Sequence, residues 1–405
     1  MKIKYILAGL LALFLKARAQ NTDTLFRQRE VPKTEIEAVF SYYDQTGNHS
    51  AVTGGTGTEK LNVYATSITI KRSFKGYNKL VFNGGSDIIS SASTDKIDDV
   101  VSSASLKDGR TFANIAYQRN FKKTMFSLGG GSGFSIESDY LSIPLSFNVS
   151  YTTPDGMRTH DLDIKALFDD LRWGRLNPDY HRPVKLIYPN EINTINWFDI
   201  YRRNTFSVKY ALTQIVNKQL IVALFPEVVY QKGLLSTPFH RVYFADQSLK
   251  VENLPDNRLK LMLGFKANYF TLGNIILKAG YSIYWDSFDI LANSFDLETP
   301  YKIKPLLILS PFVRIYKQSP SGYFKPYMTH NTNECFYTSD YDLSKLTTLK
   351  TGMGIKFRPN TFLTKNLYLN TLSLRYAWYK RSDHLNANIV TAVLDLETAS
   401  RYQLK

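Results

Sequence analysis

The stretch "YLSIPLSFNVSY" (140–151) alternates without a break, with Leu141, Ile143, Leu145, Phe147, Val149 and Tyr151 on one face and Ser142, Pro144, Ser146, Asn148 and Ser150 on the other. Successive side chains of a strand point to opposite sides, so a period of two predicts a strand with one apolar and one polar surface. "LKLMLGFKANYF" (259–270) sets Leu259, Leu261, Leu263, Phe265 and Tyr269 against Lys260, Gly264, Lys266 and Asn268. "TFSVKYALT" (205–213) sets Phe206, Val208, Tyr210 and Leu212 against Ser207, Lys209 and Thr213. A barrel wall that faces lipid outside and water inside requires this pattern in every strand.

Segments of this kind number about 16, an even count as bacterial barrels require. They span 35–43, 61–72, 78–89, 110–119, 123–135, 140–151, 157–168 and 203–216, then 219–231, 258–270, 275–286, 301–317, 323–332, 348–358, 366–379 and 386–396. The connections alternate in length. Short turns ("SFKGY", "NFKK", "TPDG", "NK", "TLGN", "SPSG") follow even-numbered segments, and most odd-numbered ones lead into the longer stretches 44–60, 90–109, 169–202, 232–257, 287–300 and 333–347. Transmembrane barrels have short periplasmic turns and long extracellular loops, whereas a periplasmic sandwich has no cause for the asymmetry.

The first residues, "MKIKYILAGLLALFLKARAQ", combine a basic start, an apolar run and Ala17-Arg18-Ala19. This predicts a signal peptide over 1–19, cleaved near Ala19/Gln20, because the apolar run is too short for a membrane anchor. No later segment has the 18 consecutive apolar residues of a membrane helix; the densest run, "LIVALF", stops at Pro226. The 27 Tyr and 25 Phe instead suit a barrel with aromatic girdles, to which Tyr42, Tyr43, Trp285, Tyr376, Trp378 and Tyr379 are assigned. The expected architecture is all-β: a transmembrane antiparallel β-barrel forming one domain over 35–405, preceded by a periplasmic segment, 20–34.

Loss of Lys2, Lys4, Lys16 and Arg18 with the signal peptide lowers the formal charge from +15 to +11. Export argues against nucleic acid as the anionic partner and leaves lipopolysaccharide and anionic solutes. Outer-membrane lipid, the barrel assembly machinery and other envelope proteins are the partners expected. Cys335, the single cysteine, has no disulfide partner in the chain.

Enzymatic motifs are weak. "GGTGTEK" (54–60) fails the phosphate-loop pattern because Glu59 stands where the second glycine belongs. "GGGSGF" lacks the spacing of a nucleophile elbow. The six histidines show no H-x-x-x-H or H-E-x-x-H spacing, so a metalloenzyme is not expected. Asp95, Asp98 and Asp99 in "SSASTDKIDD" supply oxygen ligands for a hard cation, without EF-hand spacing. A divalent cation at the outer loops is the one cofactor considered; a solvated acidic tip is the simpler explanation.

Taken together, "YYDQTGNHSAVTGGTGTEKL", "SSASTDKIDD", "IESDY", "RVYFAD" with "LPDNR", "YTSDYDLSKL" and "RYAWYKRSDHLNANIV" closely resemble the Bacteroidota family built on the domain of unknown function numbered 3570. The resemblance covers nearly the whole mature chain and implies an outer-membrane-type barrel of unassigned activity. Family genes often neighbour flavin-transferase and thioredoxin-like genes, which implies a structural partnership with an exported flavin/thiol redox system as one alternative. "YSIYWDSFDILANSF" departs from the family in lacking an arginine and an Ala-His-Thr.

The function expected is a pore, transporter or envelope-complex component; the alternative from another class is a membrane-embedded enzyme acting on lipid or envelope polymer. Candidate binding residues all map to the outer loops: Asn48, His49, Asp95, Asp98, Asp99, Glu137, Asp139, Asp340, Asp342, Asp383 and His384. They predict a lid in which the first two loops fold over the mouth. Strand parity places Lys209, Lys260, Lys266, Lys278 and Lys356 inward with few acids nearby, so a basic, anion-favouring lumen is expected.

Overall fold

The structure, a computed structural model, describes residues 33–398 apart from 75–76, 92–106, 122–123, 138–139, 172–201, 238–239, 272, 360 and 365. The expected signal peptide, most of the segment 20–34 and most of the second outer loop therefore lie outside the described residues. Alternation becomes strand in nearly all the expected segments of the rest. The first half of the wall comprises β1 (Thr34–Thr46), β2 (Leu61–Phe74), β3 (Asn78–Ser91), β4 (Lys107–Asn120), β5 (Phe126–Ile136), β6 (Leu141–Thr152), β7 (Arg158–Asp170) and β8 (Arg202–Ile215). After β9 (Leu220–Gly233), a small hairpin of β10 (Arg241–Tyr243) and β11 (Leu249–Val251) stands apart from the wall.

The wall resumes with β12 (Asn257–Phe270), β13 (Ile276–Asp286), β14 (Leu291–Glu298), β15 (Tyr301–Lys304), β16 (Leu307–Gln318), β17 (Leu346–Phe357), β18 (Thr361–Thr364), β19 (Leu367–Arg381) and β20 (Asn386–Thr398). Eighteen segments share one sheet. β14 and β15 are one strand interrupted at Pro300, and β17 and β18 are another interrupted before Thr361, so the wall has sixteen strands. Closure comes from β1, which pairs antiparallel with both β2 and β20; Tyr42 lies opposite Tyr64 on one side and Val390 on the other. A closed ring leaves no unpaired edge, the condition for burying backbone in hydrocarbon.

The two faces separate as the alternation requires. Ile143, Leu145 and Phe147 on β6, Phe206 and Val208 on β8, and Leu261, Leu263 and Phe265 on β12 are exposed on the outside, where lipid replaces water as their neighbour. Aromatic rings gather at both rims: Tyr42 and Tyr64 lie 5.0 Å apart at the long-loop end, and Phe126 and Tyr151 4.7 Å apart at the short-turn end. Inside, Gly352 leaves room for the Phe312 ring, since a Cβ there would come within 2.8 Å of it. The Arg375 guanidinium lies over that ring at 3.6 Å.

Two regions, 287–317 and 319–345, differ from the expected order. The stretch 287–300, expected as a loop, contains wall strand β14, and the expected single strand 301–317 is the hairpin β15–β16 turning at 305–306. Pro305 sits in that turn, where its missing N–H costs nothing. The expected strand 323–332 is instead loop, and "SPSG" opens that long outer connection, 319–345, rather than forming a short periplasmic turn. Its aromatic spacing serves local packing: Phe288 and Tyr323 meet edge to face at 5.2 Å. The two errors offset each other, which preserves the count and the sidedness of every strand after β16.

Candidate functional site

Three outer connections fold against one another at the long-loop end. In loop 47–60, the 3-10 turn Ala51–Thr53 ends at Gly54 and Gly55, both at positive φ (78° and 85°), a conformation costly for other residues. A Cβ at Gly54 would stand 2.6 Å from the Tyr243 ring, and one at Gly55 2.7 Å from the Ser339 carbonyl oxygen. These glycines let the backbone of loop 47–60 press onto loops 234–256 and 319–345. His49 stacks on Tyr341, and its Nδ1 lies 3.0 Å from the Gly55 carbonyl, which fixes that nitrogen as the donor.

Loops 234–256 and 319–345 are joined by reciprocal backbone bonds, Asn253 N–H to Tyr337 O (3.1 Å) and Tyr337 N–H to Asn253 O (2.7 Å). Val242, Phe244 and Tyr337 form a small core between them. Burying such side chains stabilises by about 1.5–3 kcal/mol each, enough to hold a cap of ordered loops. His330, fully buried, directs Nδ1 at Glu334 (2.6 Å) and Nε2 at the Thr338 carbonyl (2.9 Å). Both ring nitrogens thus face oxygen atoms of the same loop, which fixes the orientation of the ring. Burial raises Glu334, but hydrogen bonds from Lys325, the Asn331 backbone and His330 outweigh it and hold the carboxyl at about 2.

Beside this core, His240, Glu252 and Asp340 converge. The hairpin β10–β11 places His240 and Glu252 opposite each other, with Glu252 N–H donating to His240 O at 3.0 Å. His240 Nδ1 lies 3.6 Å from Glu252 Oε1 and 3.6 Å from Asp340 Oδ2, and it makes no hydrogen bond. Burial opposes a charge on the ring, but Glu252 and then Asp340 prevail and push it up to about 9. Sequence spacing alone did not single out His240 or Glu252. The turn-forming Asp246-Gln247-Ser248 between two short apolar runs was the sequence signal that would have paired them, and Gln247 takes φ 69° there.

The remaining candidates are divided. Asp342 and Asp383 both bind the buried Arg381, which ties loop 319–345 to the β19–β20 hairpin. Asn48 and His384 are exposed, and Glu137 closes the β5–β6 connection through its N–H to Tyr140 O (2.7 Å). Asp95, Asp98, Asp99 and Asp139 lie outside the described residues.

Under the cap a cavity of about 570 Å³ is lined by Glu59, Tyr379 and Arg381, among others. Burial pushes Glu59 up to about 7 against the pull of Arg381, with Asp342 and Asp383 reinforcing the rise. A second cavity of about 630 Å³ lies on the inner wall, lined by Lys266, Lys278, Asp296, Glu298 and Arg375. Arg314 and Lys350 line both. Lys209 and Lys266 flank Phe225 there at 5.7 and 5.4 Å, and Lys260 and Lys356 share the inward parity of Lys266 and Lys350.

The lumen is nevertheless not a ring of lysines. Glu298 pairs with Lys278 (3.3 Å) and Arg375 (3.0 Å), and Asp296 faces Arg314 at 3.5 Å. These acids lie on β14, the strand mistaken for a loop, which is why few inward acids were expected. Residues 6–392 match the family described as "Protein of unknown function (DUF3570)". The chain belongs to this family.

No curated protein matches this DUF3570 chain in sequence. Solved structures similar to it include the outer membrane protein OpdK from Pseudomonas aeruginosa, at 9% identity and a TM-score of 0.42 over 91% of this chain and 98% of that one. A BenF-like porin from Pseudomonas fluorescens Pf-5 is similar at 10% identity and 0.42 over 90% and 99%. OccK7 (OpdD) from Pseudomonas aeruginosa is similar at 10% identity and 0.44 over 90% and 98%.

Proposed function

We propose that the protein is an outer-membrane pore passing small hydrophilic solutes through a lumen of paired charges, beneath a cap of folded outer loops. The observation that carries this function is a pair of polar cavities inside the closed wall, one below the cap and one beside it, that share Arg314 and Lys350 in their linings. Apolar outer and polar inner faces on a closed wall suit a membrane with water inside the barrel. The basic and apolar N-terminus would direct export, the barrel assembly machinery would insert the wall, and lipopolysaccharide would meet its outer rim. Interleaved cations and carboxylates weaken the anion preference that inward lysines alone would give. Other envelope proteins would meet the barrel at its outer loops.

Liposome swelling tests this directly. Vesicles carrying the folded protein, verified by faster migration unheated than boiled, should swell in small sugars or amino acids faster than empty vesicles. Folded protein that gives no permeability would overturn the pore assignment.

A further inference from the structure

We propose that His240, Glu252 and Asp340 form a binding site for a divalent transition-metal ion that fastens loop 234–256 to loop 319–345. This holds independently of whether the lumen conducts. The ligand atoms of the three side chains lie within 4.8 Å of one another. His240 Nδ1 stands 3.6 Å from a carboxylate oxygen of each partner. A charge-assisted N–H to carboxylate bond would be about 2.7–2.9 Å long, so 3.6 Å is too far for one. Two ligands of a tetrahedral ion at bond lengths near 2.1 Å lie about 3.4 Å apart. The spacing thus suits a shared ion better than a shared proton.

The surroundings hold the carboxylates in place. Glu252, only 2% exposed, accepts the Thr237 N–H at Oε2 (2.6 Å) and the Thr338 hydroxyl at Oε1 (2.5 Å). The same Thr338 oxygen accepts the Asp340 N–H at 3.0 Å, and Asp340 Oδ1 accepts the Asp342 N–H at 2.9 Å, leaving Oδ2 toward His240. Hydrogen bonds that orient the ligating groups in this way are a regular part of metal sites. Against this fixed frame the buried Nδ1 of His240 has no hydrogen-bond partner and faces an oxygen of each carboxylate, the convergence that ion binding needs.

Donor chemistry narrows the ion. One imidazole nitrogen with two carboxylates suits zinc or a neighbouring transition ion; calcium takes oxygen ligands at 2.3–2.6 Å and six or more of them. Three protein ligands leave a fourth position for water or a solute group. The site also communicates with the first loop, because Asp340 caps the short helix Tyr341–Leu343 and Tyr341 stacks on His49. Metal occupancy would therefore tighten the whole cap.

Titration of the folded full chain in detergent with Zn2+, against a chromophoric competing chelator, tests the proposal. One tight equivalent per chain is expected, weakened at least tenfold in His240→Ala and in the near-isosteric Asp340→Asn, and unchanged in the control His160→Ala, at the short-turn end of β7. Heat-modifiable migration verifies that each variant is folded; should His240→Ala fail to fold, Asp340→Asn and the wild-type stoichiometry still decide. No stoichiometric uptake by the wild type, or equal uptake by the folded ligand variants, would overturn the site.

Discussion

His49 and Tyr341 stack with ring centroids 3.8 Å apart and planes 12° from parallel, joining the first outer loop to the connection before β17 across nearly 300 residues of chain. The pair is the side-chain counterpart of the close backbone approach at Gly54 and Gly55, and together they seat loop 47–60 in the cap. An aromatic pair of this kind contributes about 0.5–1.5 kcal/mol beyond its buried area. His49→Ala should therefore loosen the loop without unfolding the wall. Hydrogen exchange at the Gly54 and Gly55 amides should speed up, while exchange in β1 and β2 stays as in the wild type.

Glu298 pairs with both Lys278 and Arg375 on the inner wall, so in a conducting pore it would offset part of their charge. Glu298→Gln keeps the shape and removes the charge, leaving two cations facing the cavity. The reversal potential in a salt gradient should move toward anion preference relative to wild type. No movement would mean that Glu298 does not set the ion preference.

Glu59 gives the cap a pH dependence. Its carboxyl is raised from 4.5 to about 7 by burial, with Arg381 opposing and Asp342, Asp383 and Asp340 adding to the rise. The closed loop then holds a proton that an opened loop releases between those values, so the contribution of Glu59 is fully present below pH 4.5 and is lost as pH rises through 7. Protease cleavage within loop 47–60 should be faster at pH 8 than at pH 5. Glu59→Gln, neutral at both, should flatten that difference.

Glu334 titrates in the opposite sense. Burial is outweighed by Lys325, the Asn331 N–H and His330, which hold the group at about 2 against an ordinary 4.5. Its contribution is present above pH 4.5 and is lost as pH falls through about 2. Glu334→Gln at neutral pH should cost the loop about 1.5–3 kcal/mol, the range for hydrogen bonds to a charged group. Thermal release of loop 319–345, followed by the fluorescence of a probe attached at the exposed Cys335, is the measurement.

Most of the wall was legible in the sequence because its constraint is local. A strand between lipid and water must alternate, and Leu141–Thr152 or Asn257–Phe270 announces itself within a dozen residues. The same parity located Lys266 and Lys278 on the inner face. It failed at "LANSFDLE" (291–298), where Asp296 and Glu298 gave a lumen-facing strand the look of a solvated loop. It failed again at 323–332, where aromatic spacing belongs to a cap with its own core. His240 and Glu252 were within reach of a hairpin argument, but Asp340 joins them from a separate loop, and no spacing rule connects residues that meet only through the closed wall.

Single-channel recording in planar bilayers compares the wild type with a variant lacking residues 46–58. Discrete conductance steps are expected from the wild type and larger steps from the deletion, with both proteins still heat-modifiable. Two folded barrels that give no steps would contradict a capped pore.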